Sequence, residues 1–461
     1  MKRRTLLRRT GASLGALVIG SAVASADSPR RFVVDRRSLR NENAVEMVHE
    51  MDPVDLLVVR ATEEQLEDQR AEFAPDIRLS LGPFDPVRAD ARDENGDSFD
   101  EDLFKYQWDK QDQRILEAHE EFTRGEGTRV AIIDSGIATG HPDLEGQVNL
   151  DLSKNFTDDD LDVGGPYGGS HGTHVAGIAG ASDDGTGVVG SAPGAELVDL
   201  RVFSAAPDSA FSADSGGSDG QELPPDYLSD TFMGSVMAAL VYAAEIDCEA
   251  ANLSLGWTWL MRWEGWNKFW GKVHQRVGNY ARRKGTIHTH ASGNWGESLT
   301  FNQDETDSSE TAGGITTSAT GPVGFDPETG EYEEPPSSPS TYTTHGVGAI
   351  DLGAPGGKGG EHFYDNVLNA TAFPKFDEDT GEYLGADYGY GWWAGTSMAA
   401  PQVAGALALV RSYNPSYTGN QARSTLKRAA DHPDEYERKY YGSGGYLDTY
   451  GALAKSHAGL D

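Results

Sequence analysis

Cysteine is almost absent from this chain of 461 residues: Cys248 is the only one, so no intramolecular disulfide can form. The fold must therefore be stabilised by a buried core, with bound metal ions as a second source of stability to consider. Cys248 lies between two acidic residues, just before an apolar segment, and we interpret it as a small buried residue rather than a nucleophile.

Positive charge is also scarce, with 38 Lys and Arg against 73 Asp and Glu, which gives a formal net charge of −35. A nucleic-acid partner is disfavoured because phosphate binding requires a basic face. A basic substrate is compatible with this charge, although the acidity is not confined to one region. Acidic residues spread along the whole chain indicate a surface adapted to high salt, where screening removes self-repulsion. An ordinary acidic protein is the alternative.

The apolar stretch near the N-terminus, Leu14 to Ala24, is shorter than the roughly 20 residues that a bilayer-spanning helix needs. It follows a strongly basic segment and ends in a small-x-small cleavage pattern at residues 24–26. Residues 3–8, Arg-Arg-Thr-Leu-Leu-Arg, resemble a twin-arginine (Tat) export signal. We therefore predict secretion by the Tat pathway and no stable membrane insertion after signal removal. An uncleaved N-terminal anchor is the alternative.

The most informative segment is Gly-Thr-Ser-Met-Ala-Ala-Pro at residues 395–401. It places Ser397 between a glycine that permits a tight turn and small residues that continue into a helix. Such a serine lies at a helix N-terminus, where backbone N–H groups can stabilise an oxyanion. Because a serine hydroxyl alone is a poor nucleophile, it needs a base and a group that orients the base.

Two segments upstream supply candidates for these partners. Residues 130–134, Val-Ala-Ile-Ile-Asp, predict a buried parallel strand with Asp134 at its carboxyl end, where catalytic groups of open α/β sheets collect. Residues 171–177, His-Gly-Thr-His-Val-Ala-Gly, predict a closely packed helix that begins at His171. Each segment alone has an ordinary structural explanation, but together they make Asp134, His171 and Ser397 candidates for acid, base and nucleophile.

In this order, the three segments resemble the signature blocks of the subtilisin-like serine proteases, the subtilase family, and with the Tat-type N-terminus the chain is similar to the secreted haloarchaeal, halolysin-like members. The resemblance extends from about Tyr106 to the C-terminus. It implies an α/β fold with a doubly wound, mostly parallel sheet flanked by helices. It also implies a serine endopeptidase that hydrolyses peptide bonds in proteins through an acyl-enzyme, without a catalytic cofactor.

Two further segments match the family. Ala-Ser-Gly-Asn at residues 291–294 resembles the oxyanion-hole segment, which implies Asn294 as the side-chain donor. Asn-Leu-Ser-Leu-Gly at residues 252–256 resembles the strand whose backbone pairs with the substrate, and a tryptophan follows each segment where it would line or narrow the specificity pocket. The substrate-binding residues predicted in this way are Ser254, Gly256, Ser292, Gly293, Trp257 and Trp295.

The resemblance also implies a structural calcium ion. In many relatives, a loop like residues 182–188 binds the ion together with an acid like the one in residues 141–144. Hard oxygen ligands suit calcium, and the carry-over gives Asp143 and Asp184 as the side-chain ligands. A second acidic cluster, residues 158–162, is either a further ion site or solvated surface.

We divide the chain into a signal peptide over residues 1–26, a small α+β propeptide-like inhibitor module over residues 27–97, and a peptidase domain over residues 98–461. In the module, Thr62 and Gln65 predict a capping box that opens a helix. The module's position before a subtilase domain implies a zymogen whose own propeptide is a partner. We expect a monomer.

Acidic insertions interrupt the peptidase domain near residues 205–230, 321–339 and 358–389. The last two share a repeat, Phe-Asp-Pro-Glu-Thr-Gly-Glu-Tyr at residues 325–332 and Phe-Asp-Glu-Asp-Thr-Gly-Glu-Tyr at residues 376–383. An early aspartate and a late glycine between two aromatic residues predict a solvated hairpin turn with the glycine at positive φ.

Several residues depart from the family or have no role in it. Gln402 stands where many relatives carry a histidine, and His288 and His290 share one face of a strand that is usually apolar. We interpret His174, three residues after His171, as structural. These departures leave the reaction intact and the cleavage preference open.

Two other functions remain open from the sequence. One is a catalytically silent binding protein that kept the subtilase fold, and the other is a processing protease of narrow specificity. The intact Asp134, His171, Ser397 and Asn294 argue against the first, whereas the insertions near the substrate groove keep the second in play.

Overall fold

The computed structural model describes residues 17–19, 29–81, 102–204, 229–255, 260–261, 266–299, 305–306, 313–360, 362–377, 380–434 and 436–458. The strands are β1 Leu17–Ile19, β2 Arg30–Asp35, β3 Glu46–Met51, β4 Leu56–Ala61, β5 Phe73–Pro75, β6 Arg78–Leu81, β7 Arg129–Asp134, β8 Lys154–Asn155, β9 Glu196–Arg201, β10 Ser229–Phe232, β11 Ala250–Leu253, β12 Leu260–Met261, β13 Ile287–Ala291, β14 Glu305–Thr306, β15 Ile315–Thr320, β16 Leu352–Pro355, β17 Val367–Phe376 and β18 Tyr383–Trp393. The α-helices are α1 Glu63–Gln69, α2 Trp108–Asp112, α3 Ile115–Glu121, α4 His171–Gly180, α5 Met233–Glu245, α6 Asn267–Lys284, α7 Thr396–Tyr413, α8 Gly419–Ala429, α9 Arg438–Tyr441 and α10 Thr449–Ala458.

A seven-stranded parallel sheet forms the centre of the molecule, in the order β16-β15-β13-β11-β7-β9-β8. Strands β11, β13, β15 and β16 are buried along their whole length, as expected for parallel strands covered on both faces. The predicted doubly wound parallel sheet is therefore confirmed, and its order brings the carboxyl ends of β7, β11 and β13 side by side.

Helices cover both faces of this sheet. α4 and α7 pack against each other on one face and share a core with the inward side chains of β13, β15 and β16. Every residue of α4 is buried, because its glycines and alanines let it approach its neighbours closely. α5 and α6 cover the opposite face within a second core.

The N-terminal unit is a four-stranded antiparallel sheet of order β3-β4-β2-β5 with α1 on its outer face. The predicted capping box of α1 is confirmed by two hydrogen bonds, Gln65 N to Thr62 Oγ1 and Thr62 N to Gln65 Oε1. The inner face, which includes Val33 and Val58, shares its core with α5 and α6. The unit is thus a small α+β layer packed on two helices of the central domain.

Three interpretations of single segments are confirmed. Cys248 is buried, and its burial raises the pKa of the thiol to about 12. Both acidic repeats form the predicted turn: Gly330 N donates to Asp326 O and Gly381 N donates to Asp377 O, with the glycines at φ 73° and 70°. The side chains of His288 and His290 lie on one buried face of β13, with Nδ1 and Nε2 2.6 Å apart.

Other expectations needed correction. Helical spacing of apolar residues from Thr231 onward predicts a helix that starts there, but the helix begins at Met233 because residues 229–232 pair with β6 as a strand. The region near residues 358–389 is not only a loop insertion, since β17 and β18 form a long antiparallel hairpin within it. Most of the insertion near residues 205–230 lies outside the described residues. In the part of the chain described here, no helix is both long and apolar enough to cross a bilayer.

Candidate active site

Asp134 and His171 form a buried hydrogen-bonded pair. Asp134 ends β7, and His171 is the first residue of α4. The imidazole Nδ1 lies 2.8 Å from Asp134 Oδ1 and 3.0 Å from Oδ2, and the carboxylate also accepts from Ser135 N at 2.7 Å. A carboxylate on Nδ1 leaves Nε2 of the ring as the nitrogen that can act as a base.

Ser135, which sequence analysis did not single out, ties the end of β7 to the start of α4. Its hydroxyl donates to Gly169 O and accepts from Gly172 N, both at 2.9 Å. A Cβ on Gly172 would lie 2.5 Å from Gly136 O, so the two segments touch backbone to backbone. The Asp-Ser-Gly and His-Gly sequences hold the pair in place through this contact.

Ser397 lies at the N-terminus of α7, as predicted. It is 7% exposed, and its Oγ donates to Ser254 O at 3.1 Å. In return Ser254 Oγ donates to Ser397 O at 2.6 Å. Ser254 directly follows β11, so these two bonds fasten the first turn of α7 to the carboxyl end of that strand.

A chain of buried polar side chains supports Ser254 from behind. Thr289 Oγ1 donates to Asn252 Oδ1 at 3.0 Å, and Asn252 Nδ2 donates to Ser254 Oγ at 2.8 Å. Neither Thr289 nor Asn252 was recognised as a supporting residue in the sequence, because their contact depends on the neighbouring register of β11 and β13. The network orients the Ser254 hydroxyl towards α7.

Asn294 follows β13 and reaches the same helix terminus. Its Oδ1 accepts from both the backbone N and the Oγ1 of Thr396, each at 2.9 Å. Because the carbonyl oxygen of the amide is held by Thr396, the Nδ2 group is the end that can donate to a ligand. Thr396 also accepts from Gly293 N at 3.0 Å, which makes it a supporting residue that sequence analysis missed.

The predicted substrate-binding residues are only partly described. Ser292 is buried and donates to Thr344 O at 2.8 Å, which makes it a structural support in this arrangement. The indole of Trp295 folds back over Gly293, where an added Cβ would lie 2.0 Å from the ring. Gly256 and Trp257 lie outside the described residues.

His174 has the structural role expected for it. Its Nε2 lies 3.0 Å from Gly391 O, and its ring stacks on Trp393 at 4.5 Å between centroids. Burial lowers the pKa of His174 to about 3, so the ring is neutral near pH 7. Trp393 also stacks on His171, with 6.4 Å between ring centroids, and so links β18 to the start of α4.

Gln402 takes part in a buried polar network that joins α2 to α4 and α7. Its Oε1 accepts from Lys110 Nζ at 2.6 Å, and its Nε2 donates to Asp109 Oδ2 at 2.7 Å. Lys110 also donates to Ile178 O and Ser191 Oγ, and burial lowers the pKa of its ammonium to about 8. The residue that departs from the family therefore compensates for a buried lysine and a buried aspartate.

The oxygens around Asp143 that the resemblance assigns to calcium accept protein hydrogen bonds in this structure. Its Oδ2 accepts from Val188 N at 2.9 Å and its Oδ1 from the Tyr390 hydroxyl at 3.1 Å. The nearby Gly187 carbonyl accepts from Leu103 N, and exposed Asp184 accepts from Thr186 in its own loop. Among the described side chains, no group of three or more His, Cys, Asp or Glu is placed to hold a metal ion.

Tyr390 thus supplies a hydrogen bond to Asp143 where the resemblance implied a cation. Burial raises the pKa of the Asp143 carboxyl to about 6, and the loss of a donor to a buried acceptor costs about 1–3 kcal/mol. We expect Tyr390→Phe to lower the melting temperature and EDTA to leave it unchanged in the unsubstituted protein. Tyr388→Phe, on the same strand, is the matched control. A large drop in EDTA that calcium reverses would contradict this assignment.

Comparison with known proteins identifies the family of this chain. The model of the subtilase family (Peptidase S8) matches residues 125–451. The chain is 27% identical to the alkaline protease of Alkalihalobacillus alcalophilus over 434 residues, which cover 91% of each chain. It is also 27% identical to fervidolysin of Fervidobacterium pennivorans over 366 residues, which cover 78% of this chain but only 44% of that protein.

Solved structures show the same fold. The epidermin leader peptide processing serine protease of Staphylococcus aureus superposes with a TM-score of 0.65 at 21% identity, covering 93% of this chain and 99% of the other. The family match includes the strand that carries Asp134 and the helices that carry His171 and Ser397. The chain belongs to the subtilase family and is a serine endopeptidase.

Proposed function

We propose that this subtilase hydrolyses peptide bonds through an Asp134–His171–Ser397 triad and is made as an exported, salt-adapted zymogen. The observation that supports this proposal is that two pairs of groups lie at the same edge of the sheet. Asp134 and His171 are paired there, and Ser397 and Asn294 lie together at the start of α7.

The triad would act as follows. Ser397 Oγ leaves its hydrogen bond to Ser254 O, turns towards His171 Nε2 and attacks the scissile carbonyl while His171 takes its proton. Asp134 keeps Nδ1 protonated and stabilises the imidazolium that forms. His171 then returns the proton to the leaving amine, and water hydrolyses the acyl-enzyme by the reverse sequence.

The oxyanion would be stabilised at the start of α7. The first N–H groups of a helix have no partner inside the helix, so Ser397 N can donate to the developing charge. Asn294 Nδ2 is the second donor, because Thr396 holds the amide by its oxygen. Both donors belong to segments fixed by hydrogen bonds, so little reorganisation is needed as the charge develops.

The direct test is covalent labelling of the purified, activated protein. A serine-directed phosphonate should label Ser397 in the unsubstituted protein and leave Ser397→Ala unlabelled, with hydrolysis of a protein substrate lost in parallel. An inert Ser397 in a folded protein would favour the alternative of a silent binding protein.

Asn294 provides a sharper test of the oxyanion site. Asn294→Ala should lower kcat about 100- to 1,000-fold with little change in KM, which is the magnitude measured for oxyanion-hole donors in this family. Labelling of Ser397 at long incubation confirms that the variant is folded. An unchanged kcat would exclude Asn294 from the oxyanion site.

The N-terminal unit is proposed as a propeptide and inhibitor. Its Asp76 accepts from Gly234 N at 2.7 Å in the first turn of α5, where a carboxylate interacts favourably with the helix dipole. Arg276 of α6 pairs with Asp35, and Arg31 binds Asp76 and Ser235 at 3.0 Å. These contacts attach the unit to the two helices that cover one face of the sheet.

If the unit is removed by the protease itself, the unsubstituted chain should lose it during maturation whereas Ser397→Ala should keep it. N-terminal sequencing and mass measurement of both proteins locate the cut, which we predict in the acidic segment after residue 92. Loss of the unit from purified Ser397→Ala without added protease would contradict self-processing.

Tat export and salt adaptation are proposed from the basic N-terminus and the net charge of −35. Self-repulsion among acidic groups is screened over about 3 Å at 1 M salt but over about 30 Å at 0.01 M. We therefore expect the melting temperature of Ser397→Ala, which cannot digest itself, to fall on transfer from multimolar to dilute salt. Equal melting temperatures would contradict salt adaptation.

A further inference from the structure

A cavity lined by charges of both signs lies between the N-terminal unit and the peptidase domain, apart from the groups of the triad. It has a volume of about 240 Å³. Its peptidase-side wall includes Asp158, which follows β8, and Asp230 and Phe232 of β10. Asp159, in the same wall, is already paired with Arg201 of β9.

Arginines of the N-terminal unit form the opposite wall of this cavity. Arg78 forms an ion pair with Asp230, and Arg31 Nη1 lies 3.2 Å from Asp158 Oδ2. Arg60 also pairs with Asp158. The guanidinium carbon of Arg31 lies 4.2 Å from the centre of the Phe232 ring and that of Arg78 lies 6.0 Å away, so the ring contributes cation–π attraction.

Arg78 enters the cavity as part of an added strand. β6 pairs antiparallel with β10, with Arg78 opposite Phe232 and Ser80 opposite Asp230. The main chain of β10 therefore receives an extended peptide by backbone hydrogen bonds, and the cavity receives one of its side chains. Peptide recognition by strand addition works in the same way: main-chain hydrogen bonds provide affinity, and pockets for side chains provide specificity.

The cavity stands at the same edge of the sheet as the triad. Asp134 pairs with Arg201 in the register of β7 and β9, and Ser204, three residues further on, bridges to Asp230. A peptide extended along β10 is thus placed near the carboxyl end of the strand that carries Asp134. The segment of the chain that follows β6 contains the predicted cut.

The two charge signs come from different parts of the chain. The three arginines belong to the N-terminal unit and would leave with it, whereas Asp158 and Asp230 belong to the peptidase domain and would stay beside Phe232. We propose that in the mature protease the remaining peptidase-side wall, with Asp158, Asp230 and Phe232, is a substrate subsite that takes an arginine or lysine side chain from a peptide seated as a strand on β10. This proposal rests on the proposed function, since it requires both proteolysis and departure of the unit.

The test compares peptides that differ only in one charge. A peptide with a fixed scissile bond carries arginine at each position of the acyl side in turn, and its partner carries citrulline, the neutral analogue. Hydrogen bonds to charged groups predict that arginine raises kcat/KM about 10- to 100-fold over citrulline at one position. Asp158→Asn with Asp230→Asn should reduce this ratio to near one, and Asp230→Glu in place of Asp230→Asn should restore much of it.

Glu328→Gln is the matched control, because Glu328 is an exposed carboxylate that pairs with Lys105 elsewhere on the surface. It should keep the arginine preference of the unsubstituted protease. A ratio near one at every position would overturn the proposal, and so would an equal gain at all positions, which indicates general attraction to an acidic protein.

Phosphonate labelling of Ser397 in each sample distinguishes failure of the subsite proposal from failure of the proposed function. An enzyme that is labelled and hydrolyses peptides without an arginine preference overturns only the subsite. An enzyme that is neither labelled nor active overturns the proposed function itself. The arginine and citrulline peptides, tested on the unsubstituted protease, show whether the subsite prefers arginine even if the double variant does not mature.

Discussion

The first turn of α7 is held to the sheet by hydrogen bonds from two strands, and the arrangement of the site depends on this attachment. Ser254, after β11, exchanges two hydrogen bonds with Ser397, and Asn294, after β13, accepts two from Thr396. Only one of these four bonds uses a backbone N–H group of the helix, that of Thr396, so Ser397 N stays at the positive end of the helix where negative charge would develop. A small shift of either strand would move Ser397 and Asn294 relative to His171.

Close packing of small residues makes this attachment rigid. α4 and α7 meet through alanines and glycines, and a Cβ on Gly405 of α7 would lie 3.1 Å from Ala179 O of α4. Such an interior leaves little room for either helix to move, so His171 and Ser397 keep their relation to each other. The buried Lys110, hydrogen-bonded to Gln402 and Ile178, joins the same two helices at a point away from the site.

The N-terminal unit and the peptidase domain present opposite charges where they meet. The N-terminal unit contributes Arg31, Arg60 and Arg78 to this contact. They form ion pairs with Asp158 and Asp230 of the peptidase domain. The chain has few cations, yet three arginines lie at this one contact. Binding at this contact, by the unit or by a peptide that replaces it, therefore depends on positive charge.

Local sequence was sufficient for the features that depend on short segments. The Asp-Ser-Gly, His-Gly-Thr-His and Gly-Thr-Ser-Met motifs located the three polar groups, the capping box of α1 was visible as Thr62 and Gln65, and the two acidic repeats specified their turns. Backbone preferences and side-chain hydrogen bonds within a few residues determine these features. The features can therefore be predicted without knowledge of the fold.

Contacts between distant segments were decided only by the tertiary structure. Thr289 donates a hydrogen bond to Asn252 because β13 lies beside β11. Tyr390 donates to Asp143 because β18 passes beside residues 141–143. The acidic residues at 158–162 read as an ion site or as surface, whereas Asp158 and Asp159 are in fact paired with arginines far away in the chain. A side chain's partner is set by burial and geometry in three dimensions, and residue spacing along the chain carries no record of either.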